Sequence, residues 1–86
     1  MHSKDFAKAF GVAVRNHRKA RGLSQESLAE RADLVPKMIS LIERFQRNPS
    51  LNVAHSIATG LSVPLWRLVK DADDLRRKAT RPAKST

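Results

Sequence analysis

Eighty-six residues with 17 lysines and arginines against 8 acidic groups, a formal net charge of +9, make one small domain with a modest core and no room for a separate sensor domain. Such basicity points to a polyanionic partner, nucleic acid first, because cations that displace counterions from phosphates gain affinity without needing shape. No cysteine, no ligand spacing among His2, His17 and His55, and no long apolar run, signal-peptide pattern or lipidation motif exclude a disulfide framework, a metal centre and a membrane anchor, leaving a soluble, cytoplasmic protein as the expectation.

Phe6, Phe10, Ala13, Val14 and His17 recur at helical spacing, with Ser3 available as a cap and Gly22 placed just past the end, so a first helix is predicted over 4–20. Lys4, Lys8, Arg15 and Lys19 fall on its outer face and read mostly as solvated surface, with some in reach of nucleic-acid phosphates.

The next stretch, Leu23 to Ser50, organises the rest. Two short apolar-periodic segments are separated by three residues, too few for a loop and about right for a fixed corner. Leu28, Ala29 and Ala32 share one face of the first segment, and Ile39 and Ile42 one face of the second. Each face needs the other to be buried. Ser24 is a natural N-cap with Glu26 near the positive dipole end, and Pro36 fits a first helical turn, where a missing N–H costs nothing. Asp33-Leu34-Val35 is then the corner, with Leu34 turned inward, and the arrangement is a helix-turn-helix.

Residues 45–49 form a polar, basic loop ending at Ser50, the cap of a fourth helix whose stripe is Leu51, Ala54, Ile57, Ala58 and Leu61. Ser62 and Val63 break the pattern. Pro64 opens a short fifth helix that returns Leu65, Leu68 and Val69 to the core. From Asp71 the apolar pattern fades to a single Leu75, so the domain is placed at 1–70, with 71–86 a basic, partly mobile tail. Residues 1–70 hold 12 basic and 5 acidic groups, against 5 and 3 in 71–86, so the basicity belongs mostly to the folded part.

VRNHRKARGLSQ, ISLIER, RNPSL and IATGLSVPLWRLV, in this order and spacing over about residues 10–69, resemble the DNA-binding domain of Cro/C1-type (XRE) helix-turn-helix regulators. These include phage repressors and restriction-modification controller proteins. The resemblance implies an all-α, five-helix, lambda-repressor-like fold with the third helix in a major groove of double-stranded DNA. Pro36, Lys37, Ser40 and Leu41 would then face base edges, since 37, 40, 41 and 44 lie opposite Ile39 and Ile42. Gln25 would meet a phosphate at the start of the second helix, and Arg44, Arg47 and Asn48 would form a second backbone clamp beyond the other end of the third.

Arg18 stands four residues after Val14 and Glu43 four after Ile39, a spacing equally compatible with a pair and with two independent surface charges. The resemblance implies the pair, partly buried. Family glycines are replaced at Asp33, where positive φ is expected, and at Phe45, and Val35 stands where a Ser or Thr cap is usual. Phe45 either packs over the core rim near the fourth helix or joins a subunit contact. Trp66, directed away from the core, either lies over its own domain or, as the resemblance favours, contributes to a homodimer contact through the region of the fourth and fifth helices. His17, where the family has leucine, reads as a partly buried, satisfied histidine.

The function expected is operator occupancy by a homodimeric transcriptional regulator without a cofactor. The alternative is a protein-interaction module of the same fold, such as an antitoxin bound to a partner protein. No nucleophile, base and orienter are placed to cooperate as an enzyme would need. RNA is less favoured, because the chain lacks the surface aromatics of single-strand recognition.

Overall fold

The computed structural model describes residues 3–80. Helices α1 (Ser3–Ala20), α2 (Gln25–Ala32), α3 (Pro36–Glu43), α4 (Leu51–Gly60) and α5 (Leu65–Thr80) follow one another, with no strand among the described residues. The expected caps form: Ser24 Oγ accepts the Ser27 N–H at 2.9 Å, and Ser50 Oγ accepts that of Val53 at 3.1 Å. Val35 precedes α3 without a side-chain cap, a loss of about 1 kcal/mol in typical cases. The expected Ser3 cap and the 81–86 tail lie outside the residues whose side chains are described.

Four of the helices close in the same way. A backbone N–H two or three residues past the helix bonds to the carbonyl of the residue five earlier, Leu23 to Arg18, Leu34 to Ala29, Gln46 to Leu41 and Val63 to Ala58, at 2.8–3.0 Å. A bond from the preceding residue to the carbonyl three residues earlier, at 3.0–3.2 Å, completes each motif. That preceding residue must be left-handed, and it is Gly22 (φ 71°), Asp33 (59°), Phe45 (64°) and Ser62 (61°). Only the first has a glycine's freedom. In three motifs the next residue, Leu23, Leu34 or Val63, packs on the core; in the α3 motif it is exposed Gln46.

The core joins Phe10, Ala13 and Val14 of α1, Leu28 and Ala29 of α2, Ile39 and Ile42 of α3, Ala54, Ile57 and Ala58 of α4 with Leu61, and Leu68 and Ala72 of α5. Three sequence expectations change. The fifth helix is not short but crosses residue 70 unbroken to Thr80, because Ala72 and Leu75 continue the stripe of Leu65 and Leu68. A lone alanine carries little weight in a hydrophobic pattern, yet Ala72 is fully buried against the rest of the core. Pairs Lys70–Asp74 and Arg77–Asp73, at 3.0 and 3.2 Å, add a few tenths of a kcal/mol each to that helix. Leu51, expected in the α4 stripe, is 78% exposed, since the side chain of a helix's first residue leans toward the N-terminus and off the end of the helix. Val69 lies on the flank of the α5 stripe and is half-exposed rather than returned to the core.

Candidate nucleic-acid interface

The corner forms as its residues require. Asp33 adopts the left-handed conformation that lets the chain double back, Leu34 turns inward onto the core, and Pro36 opens α3. Ile39, Ile42 and Glu43 are buried by this placement. Pro36, Lys37 and Arg44 are therefore exposed, and Ser40 and Leu41 half-exposed, on the opposite face. The side chains of Lys37, Arg44 and Arg47 make no hydrogen bond or ion pair with any described residue.

Behind that face the charges are all matched. Arg18 Nε donates to Glu43 Oε2 at 2.7 Å and Nη2 to Oε1 at 3.0 Å, a bidentate pair across α1 and α3. Its Nη1 donates to the Leu23 carbonyl at 2.8 Å. The hydrogen bond to Glu43 raises the Arg18 pKa above its ordinary value, desolvation opposes it, and the Glu43 charge adds to the rise, so the guanidinium stays charged. The pair implied by the resemblance is thus present, and more deeply buried than expected. Gln25 Nε2 donates to Glu43 Oε1 at 3.1 Å. Gln25 is thereby drawn to the last turn of α3, the end that carries Arg44, and one amide N–H remains to meet an anion.

Phe45 takes the strained conformation, and its ring lies over Gly11 of α1 while remaining 45% exposed. A Cβ on Gly11 would lie 2.4 Å from the Ile42 carbonyl oxygen and 3.1 Å from Phe45 Cδ1, so only glycine lets the end of α3 rest on the α1 backbone. Sequence reasoning passed over Gly11. An isolated glycine inside a helical pattern was the available signal, since it costs about 1 kcal/mol there unless something approaches closely.

Two further ties were not foreseen. Arg31 Nε donates to the Gly60 carbonyl at 2.6 Å and its Nη2 to Ser62 Oγ at 3.0 Å, fixing α2 to the end of α4. His17 Nε2 meets Asp71 Oδ2 at 2.6 Å, so the satisfied histidine expected of α1 finds its partner in the segment read as a tail. Among the described residues no group of histidines and carboxylates could hold a metal ion, and no helix is long and apolar enough to cross a membrane.

The family model described as Helix-turn-helix matches residues 14–65, the span that contains the corner, the buried pair and the loop after α3. An uncharacterized HTH-type transcriptional regulator of Methanothermobacter thermautotrophicus is 46% identical over 48 residues, 56% of this chain and 70% of that protein. Among solved structures, the restriction-modification controller protein C.AhdI of Aeromonas hydrophila is 39% identical with a TM-score of 0.70, covering 72% of this chain and 94% of that one. The clp gene regulator ClgR of Corynebacterium glutamicum, 23% identical, shares the fold with a TM-score of 0.82 over 86% of this chain and 79% of its own. With its five helices, its corner and its matched span, the chain belongs to the Cro/C1-type helix-turn-helix family of transcriptional regulators.

Proposed function

We propose that this regulator occupies a specific duplex DNA site as a homodimer in the cytoplasm, and that occupancy alone, by blocking or recruiting polymerase, is its output. It needs no cofactor and catalyses nothing. The observation that carries this is the asymmetry of α3: Ile39, Ile42 and Glu43 are buried, whereas the side chains of Lys37 and, just past the helix, Arg44 have no partner among the described residues. Lys37 suits the N7 and O6 acceptors of guanine, Ser40 can read either kind of edge, and Pro36 and Leu41 offer apolar contact to a thymine methyl. Gln25, Arg44, Arg47 and Asn48 hold the backbone.

For the homodimer, the support is an apolar surface. Leu51, Trp66 and Val69 are exposed, and an open groove of about 270 Å³ lined by Phe6, Phe10, Leu51, Leu65 and Val69 runs between α1, α4 and α5. Phe45 is the weaker candidate, since its ring already packs on Gly11. Selection of bound sequences from a random duplex pool tests the reading: an enriched symmetric site with a G and a T in each half is expected, and no enrichment would defeat it. Sedimentation of wild type and Trp66→Ala tests the contact, with weaker association and unchanged helical content expected. The same groove also suits a different protein, as an antitoxin would require, and co-purification of a second chain with no DNA selection would favour that alternative.

A further inference from the structure

Phe45 poses a physical problem that the fold alone does not resolve. A bulky residue at φ 64° is an outlier, and this one completes a helix end where Asp33 and Ser62 manage with small polar side chains. Unlike Leu23, Leu34 and Val63 in the other motifs, Gln46 brings no apolar contact to this one. The ring rests on Gly11, and one turn earlier on α1 the ammonium of Lys8 stands 5.6 Å from the ring centroid, within cation–π range. Lys8 is exposed, and no carboxylate pairs with it among the described residues.

We propose that Lys8 is a third cation of the phosphate clamp after α3 and that Phe45 is the residue that positions it. This rests on the duplex-DNA reading and extends it to a helix outside the helix-turn-helix. Phe45 lies directly between Arg44 and Gln46, with Arg47 one step further, so a cation held over its ring belongs to the same patch as those two arginines, whose side chains have no partner among the described residues. A lysine on a bare helix surface would sample many rotamers. Held by the aromatic face, its charge is presented in one place, and the ring excludes water on one side without neutralising it. The positive φ is then a local cost borne at a functional site, where strained residues cluster.

The test is the salt dependence of binding to a mixed-sequence DNA duplex, measured by fluorescence anisotropy with wild type, Lys8→Gln, Phe45→Gly and Arg77→Gln. Glutamine keeps the helix propensity at an exposed site, and glycine is at ease with the backbone of residue 45. Loss of one phosphate contact lowers the slope of log K against log salt by about 0.9, so a fourfold rise in salt weakens Lys8→Gln about 3.5-fold less than wild type. Phe45→Gly should reproduce much of that change with its helical content intact, and Lys8→Gln should add little on top of it. Arg77, exposed on α5 and paired with Asp73, serves as the control for net charge, and its variant should keep the wild-type slope. An unchanged slope in Lys8→Gln, or an equal change in Arg77→Gln, overturns the proposal while leaving DNA binding in place. A wild type that does not bind duplex at all overturns the reading beneath it, and this proposal with it.

Discussion

The two faces of α3 have the same length and backbone but opposite electrostatics. On the inner face Glu43 accepts from Arg18 and Gln25, and Ile39 and Ile42 are sealed; on the outer face the side chains of Lys37 and Arg44 have no partner among the described residues. The difference teaches that fixing a helix and using it draw on separate residues. A buried, bidentate pair contributes geometry more than net stability, because desolvation offsets most of the Coulombic gain. Unpaired surface cations contribute nothing to the fold and remain available to phosphates and base edges.

That separation can be broken most severely from the inside. Glu43→Ala leaves Arg18 buried without its carboxylate and should cost about 3–5 kcal/mol in thermal melts, whereas apolar replacement of both partners is expected to be nearly neutral. Simple additivity of the two single losses would show that the residues do not interact. Gly11→Ala attacks the same inner face from α1. Alanine should gain about 1 kcal/mol of helix propensity, but its Cβ would sit 2.4 Å from the Ile42 carbonyl oxygen, and overpacking of about 1–3 kcal/mol should win. A raised melting temperature would mean that α3 can move aside freely.

On the outer face the effects should fall on DNA and spare the fold. Lys37→Ala is expected to cost about 1–3 kcal/mol on the preferred duplex, to relax one guanine position, and to leave the melting temperature unchanged. Uniform loss across all sequences would falsify the base-reading role and leave Ser40, Leu41 and DNA shape to specify the site. Arg44→Ala and Arg47→Ala should act most mildly, weakening every sequence alike and lowering the salt slope by about 0.9 each. A slope unaltered in both would remove the loop after α3 from the interface.

Much of this was legible in the chain because local rules and periodicity speak directly to it. Ser24, Ser50 and Pro36 mark helix starts by their own chemistry, Gly22 marks an end, and the 3.6-residue stripes of α1 to α4 name most of the core. The resemblance supplied the partner of Arg18, which spacing alone left undecided. What failed was signal that depends on a neighbour distant in sequence. Ala72 is unremarkable until the packed helices bury it, and His17 has no partner until α5 brings Asp71 to 2.6 Å; Leu51 alone failed for a local reason, as the first residue of α4 whose side chain leans off the helix end.

By itself, then, the sequence determined the number of helices, the corner, the face of α3 that would be buried and the cations left over, since each follows from side chains a few residues apart. Only the tertiary structure decided how far α5 runs, where Gln25 points, and that Phe45 would close α3 in a left-handed turn on a glycine 34 positions earlier. Those outcomes depend on contacts between α1 and the helices that pack against it. Such contacts form between residues distant in sequence, and no local pattern encodes them.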